Sequence, residues 1–270
     1  MEQNRQAPIG VFDSGVGGLT VVREIIRQLP SENIVYFGDT ARVPYGTKSR
    51  DTVINYSEQI VHFLMTKEVK AIVIACNTAT SYALDVLKDK LDIPIIGVVR
   101  PGAITAVNAT RNGRIGIIAT EGTVGSKIYP RVIREYNPEI QVVQKACPLF
   151  VSLVEEGWTN DPVTDEVARR YLRSLLDSNI DTLVLGCTHY PLLRKTIGRI
   201  VGEGVTLVNP AYETACSLRT LLQQEGLYRE RGKTSYHFFV SDGAERFSKF
   251  ANSILPVDLV PTRLVPIENY

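Results

Sequence analysis

Cys76 and Cys187 are the residues best placed to do chemistry. Each directly follows a short apolar run, residues 71–75 (AIVIA) and 182–186 (TLVLG), and each precedes small polar residues, Asn77-Thr78 and Thr188-His189. An apolar run of this kind reads as a buried parallel strand, and open parallel sheets bind ligands at the carboxyl ends of their strands. Helices beginning there would present amide groups and a dipole that attract anions and lower a thiol's pKa. The neighbouring amide and hydroxyl groups suit a carboxylate. A single cysteine in such a place is as readily a small buried hydrophobe. Two in equivalent settings point instead to paired proton donors and acceptors acting on one small carboxylate-bearing molecule.

Other polar residues cluster around this pair. Asp13 ends a first apolar strand and opens the glycine-rich run DSGVGG at 13–18. The run lacks both the GxGxxG spacing of a dinucleotide loop and the lysine of a P-loop, so its glycines serve a turn or a close approach. A carboxylate at that strand end can steer a nearby proton donor. His189, one of three histidines, lies two residues beyond Cys187, where it can tune the protonation of the thiol. Glu155 or Glu156 can act similarly from a helix after Pro148. The PYG turn at 44–46 gains meaning only from this context.

These residues require a scaffold, and its periodicity is readable. Strands are expected at 8–12, 33–37, 71–75 and 93–98, with helices at 17–29 and 50–68 between them. The near-continuous apolar character of 71–75 and 93–98 suits central strands buried on both faces. From about position 100 the pattern restarts: RIGIIA at 114–119 resembles PIGVF at 8–12, and the strand ending at Cys187 matches the one ending at Cys76. Gly10 and Cys76 are 66 residues apart, Gly116 and Cys187 are 71 apart, which argues for an internal duplication. A helix to Gln224, a strand at 236–240 and a final segment at 243–254 are too short for a third core. They are expected to pack on the first. The expected fold is two pseudo-symmetric, doubly wound parallel-sheet α/β/α domains facing across a cleft. Residues 1–98 plus 209–270 would form the first, and 99–208 the second.

Bulk properties remove several classes. A net charge of +1 without a dense basic run gives no footprint for nucleic acid or a membrane surface. The apolar runs are too short to span a bilayer, and no secretory signal opens the chain, so a cytoplasmic location is expected. The four cysteines are far apart, without the close ligand pairs of a zinc site, so neither a metal nor a disulfide is expected.

The motifs FDSGVGGL at 12–19, VPYG at 43–46, ACNTA at 75–79, IATEGT at 118–123, LGCTHYP at 185–191 and FVSD at 239–242 resemble those of the bacterial glutamate racemases, a branch of the aspartate/glutamate racemase family that also includes hydantoin racemases. The resemblance runs nearly end to end. It implies cofactor-independent racemisation of glutamate, which supplies D-glutamate for peptidoglycan, by a homodimer. It implies that Cys76 deprotonates D-glutamate and Cys187 deprotonates L-glutamate, with Asp13, His189 and Glu155 as auxiliary groups. Substrate contacts would come from Asp13, Ser14, Tyr45, Gly46, Asn77, Thr78, Thr188 and His189.

Racemisation removes an α-proton from one face and returns one to the other, which explains duplicated thiols better than a redox role does. Three alternatives have distinct signatures. A pyridoxal-phosphate racemase would absorb near the visible, and a thiol-redox protein would link Cys76 to Cys187 on mild oxidation. A binding module with the same two lobes would hold its ligand and exchange no α-hydrogen. A racemase acting on a related amino acid, of aspartate or hydantoin type, is the nearest variant.

Overall fold

The computed structural model describes residues 2–257 and 261–270. Among the described residues ten strands form two separate sheets, and every pairing is parallel. The strands are β1 (Ile9–Asp13), β2 (Ile34–Gly38), β3 (Ala71–Ile74), β4 (Ile95–Gly97), β5 (Arg114–Ala119), β6 (Gln141–Ala146), β7 (Thr182–Gly186), β8 (Thr206–Val208), β9 (Tyr236–Val240) and β10 (Thr262–Leu264). The larger sheet runs β10-β9-β2-β1-β3-β4 and the smaller β6-β5-β7-β8.

The duplication appears in the order and in the register. The block β2-β1-β3-β4 has the same connectivity as β6-β5-β7-β8, with β9 and β10 added outside β2. Phe12 lies opposite Ile74 in one sheet, and Ile118 lies opposite Leu185 in the other. In both halves the cysteine follows two residues after that partner.

Alternation along each central strand sends side chains into helices on both faces. Ile9 and Val11 of β1 pack with Ala215 and Leu218 from the helix Pro210–Gln224, while Phe12 packs with Phe63 and Leu64 from the helix Arg50–Met65. In β5, Ile115 and Ile117 pack against the helix Val99–Ala109, while Ile118 packs against the helix Pro162–Leu176. Each sheet is thus the middle of a three-layer lobe. Among the described residues no helix is long and apolar enough to cross a membrane.

One expected central strand is an edge. The apolar stretch at 93–98 yields only β4, the outer strand of the larger sheet, and Ile95 and Ile96 are half-buried. Apolar continuity reports that helices cover a strand, and it carries no information on whether another strand lies alongside. The helix expected at 50–68 ends at Met65, because Glu68 takes a left-handed backbone (φ 53°) that begins the turn into β3.

Candidate active site

The carboxyl ends of the central strands of both lobes converge on one narrow pocket. The loops after β1 and β3 bring Ser14, Cys76, Asn77 and Thr78, and those after β5 and β7 bring Thr120, Cys187, Thr188 and His189. Val43, Pro44, Tyr45 and Gly46 cover one side, and Val151 completes the wall. Asp13 and Glu155 do not line the cavity; each stands one layer behind it.

Glycine and buried polar groups allow the lobes to approach this closely. A Cβ on Gly46 would stand 2.6 Å from Thr120 Cβ, and one on Gly17 would stand 2.5 Å from His189 Nδ1. These distances are far inside van der Waals contact, so both backbones need glycine. Across the same boundary Thr20 Oγ1 donates to the Thr188 carbonyl at 3.0 Å, and Tyr82 Oη donates to the Gly122 carbonyl at 2.9 Å. Thr78 Oγ1 lies 2.9 Å from Thr120 Oγ1 and 3.3 Å from Thr123 Oγ1. Tyr45 is held from behind by fully buried Asp39, whose carboxylate accepts from Tyr45 Oη, from Arg42 Nε and from Ser241 Oγ.

Cys76 is the N-cap of the helix Asn77–Lys88, and its Sγ accepts from the Ala79 amide at 3.5 Å. Ser14 Oγ lies 3.7 Å from the same sulfur. Burial, reinforced by the Asp13 carboxylate and by Cys187, pushes the Cys76 thiol up to about 12, against the lowering effect of Ala79 and Ser14. The expectation of a lowered thiol therefore fails at this position. One helix terminus does not compensate for the loss of water around a buried anion.

Cys187 has different surroundings. No α-helix begins beside it; a bend leads into a 3-10 turn at Tyr190–Leu193. Pro191 has no N–H to bond the Cys187 carbonyl four residues back, and the Tyr190 amide bonds that carbonyl in a 3-10 turn instead. The expected second helix terminus is absent for that reason, and a side chain stands in its place. His189 Nδ1 lies 3.8 Å from Cys187 Sγ, and His189 Nε2 lies 3.2 Å from Glu155 Oε1. Burial alone would lower the imidazole, but hydrogen bonds to Cys187 and Glu155 and pairing with Cys187 and Asp13 outweigh it and raise His189 to about 10. The same bond to His189 holds the Glu155 carboxyl below the usual range, although burial opposes it. Glu156 is mostly exposed and lies 4.0 Å from Arg246.

Asp13 connects the two thiol settings. Its Oδ2 accepts from the amides of Gly18 (2.8 Å) and Gly15 (3.2 Å), which shapes the glycine-rich turn around the carboxylate. Its Oδ1 lies 3.5 Å from Thr188 Oγ1 in the other lobe. Burial raises this carboxyl, opposed by His189 and by the turn amides.

Sequence reasoning missed Thr120 and Tyr129. Thr120 follows Gly116 by four residues, as Ser14 follows Gly10, so the repeat places both at the same wall. Tyr129 gave no such signal. It is fully buried on the helix Ile128–Tyr136 and donates to Asn77 Oδ1 at 2.7 Å, 52 residues away in sequence. Among the described residues no group of three or more His, Cys, Asp or Glu side chains is placed to hold a metal ion.

The chain resembles known proteins over nearly its full length. It is 52% identical over 248 residues to a glutamate racemase of Geobacter metallireducens, covering 92% of each chain. A glutamate racemase isoform from Bacillus anthracis superposes with a TM-score of 0.94 at 40% identity, covering 97% of this chain and 98% of that one. The Francisella tularensis glutamate racemase, solved with D-glutamate, superposes with a TM-score of 0.92 at 39% identity, covering 98% and 100%. Residues 9–216 match the Asp/Glu/Hydantoin racemase family, and with two thiols at equivalent strand ends of duplicated lobes the chain belongs to that family.

Proposed function

We propose that this protein interconverts L- and D-glutamate by a two-base mechanism that needs no added cofactor. The observation that carries the reading is the matched register: Cys76 and Cys187 reach one pocket from opposite lobes. The glutamate racemases among its relatives support glutamate as the substrate.

Substrate enters with its α-carboxylate toward Asn77, Thr78 and Thr188, where hydrogen bonds in a water-poor cavity stabilise the charge that develops as the α-carbon ionises. With L-glutamate, Cys187 takes the α-proton and the Cys76 thiol returns one from the opposite face. In reverse, Cys76 takes the proton of D-glutamate and Cys187 returns one. His189, supported by Glu155, holds a proton beside Cys187. The raised Cys76 favours a protonated resting form suited to the L-to-D direction. The ammonium of bound substrate lowers the cost of a thiolate in either direction.

Residues 1–98 with 209–270 are read as one lobe and 99–208 as the other, supported by β9 pairing with β2 and by the packing of the helix Pro210–Gln224. We extend this reading to D-glutamate supply for peptidoglycan, a cytoplasmic location and a homodimer, supported by resemblance to the glutamate racemases.

The test is incubation of L-glutamate in deuterated water without added cofactor. Decay of optical rotation with deuterium appearing at the α-carbon is expected. Glutamate that remains optically active and unlabelled would refute the reading.

A further inference from the structure

Tyr129 is fully buried, belongs to the smaller-sheet lobe, and forms its hydrogen bond across the lobe boundary to Asn77. A tyrosine hydroxyl can donate or accept, and an asparagine carboxamide carries one accepting and one donating end. The phenol stays protonated, because burial pushes its ionisation upward. It donates to Asn77 Oδ1 and so occupies the oxygen of an amide that lines the cavity. The remaining end of the amide, Nδ2, carries two N–H groups and has no hydrogen bond to claim it from the Tyr129 side. The ring has little freedom to tilt. Gly186, just before Cys187, would bring a Cβ within 3.2 Å of Tyr129 Cε2, so the ring fills the space that this glycine leaves.

We propose that Tyr129 is a positioning residue: its hydroxyl fixes the Asn77 carboxamide with the N–H groups toward the cavity, making Asn77 a committed donor to the substrate carboxylate and making that commitment depend on how the lobes meet. The inference rests on the reading that Asn77 contacts the α-carboxylate. Without the tyrosine hydroxyl, Asn77 can turn its oxygen toward an anion, and substrate must then select the productive orientation.

The test is a double-mutant cycle over Tyr129→Phe and Asn77→Ala, with kcat and KM measured for both enantiomers. Tyr129→Phe keeps the ring and is expected to raise KM about tenfold, with a smaller effect on kcat. In the Asn77→Ala background the same change is expected to have almost no further effect. An unchanged KM in Tyr129→Phe alone, or a loss of equal size in both backgrounds, overturns the proposal while leaving the Asn77 contact standing. Parental kinetics in Asn77→Ala would overturn that contact and the proposal with it. A second readout needs no tyrosine variant. In 15N-asparagine-labelled protein the Asn77 carboxamide protons, assigned by their loss in Asn77→Ala, are expected to shift on adding glutamate. Absence of that shift also overturns the proposal.

Discussion

The regions after β3 and after β7 begin alike and end differently. Each places a buried thiol two residues beyond the same register point of a parallel sheet, followed by residues that can bind a carboxylate. Beyond Cys76 the chain enters a helix, and the sulfur's partners are a backbone amide and the Ser14 hydroxyl. Beyond Cys187 a proline prevents the helix, and the sulfur's partner is an imidazole backed by a carboxylate. Duplication has kept the position of the proton-transfer atom and changed what sets its protonation. Residues at the register point fix where a thiol sits; residues one or two further on decide which polar groups surround it.

The largest expected effect removes either sulfur. Cys76→Ala and Cys187→Ala should each lower racemisation by about 10³-fold or more, since neither face can serve the other. The two enantiomers have equal free energy, so kcat/KM must fall equally in both directions. Racemisation at the parental rate in either variant would defeat the two-base assignment. Next comes the approach between lobes. Gly17→Ala would place a methyl 2.3 Å from Thr188 Oγ1, and the resulting displacement is expected to cost about 10²-fold in kcat/KM, measured by circular dichroism of the reaction.

His189→Asn addresses the difference between the halves directly. Its folded value of about 10 lies above its ordinary 6.5. The stabilisation it contributes is therefore complete below about pH 6.5 and is lost as pH rises toward 10. Urea unfolding at several pH values should show wild type losing stability across that window and His189→Asn losing less of it. Identical slopes would mean that His189 does not titrate as assigned. The smallest effect separates neighbouring carboxylates. Glu155→Gln removes the charge bonded to His189 and should cost about tenfold in kcat/KM while moving the basic limb of the pH profile downward. Glu156→Gln, mostly exposed, should change activity less than about twofold.

Much of this site was legible in the sequence because duplication makes local signals confirm one another. AIVIA before Cys76 and TLVLG before Cys187 are weak alone, but together they fix strand ends, sheet type and the meeting of two lobes. Ser14, Tyr45, Gly46, Asn77, Thr78, Thr188 and His189 lie within two residues of a motif anchor or inside one, so their placement followed. Tyr129 was not legible. Its helix reads as an amphipathic surface helix, and nothing local says that one hydroxyl crosses to the other lobe. The raised Cys76 thiol escaped for a similar reason: a helix N-terminus is visible in sequence, whereas the depth of its burial depends on residues from several elements. The edge position of β4 was hidden because helices covering a strand leave the same apolar pattern as neighbouring strands.

The burial of both sulfurs has one further consequence, for the protein between turnovers. In the proposed two-base cycle, an enzyme that has converted L- to D-glutamate is left with its proton on Cys187 and its charge on Cys76, the form poised to bind the product it has just released. Before it can accept a second L-glutamate it must return a proton from Cys187 to Cys76, a step that involves no substrate. Two free forms would alternate in that cycle, and substrate concentrations that outrun their interconversion would make it rate-limiting.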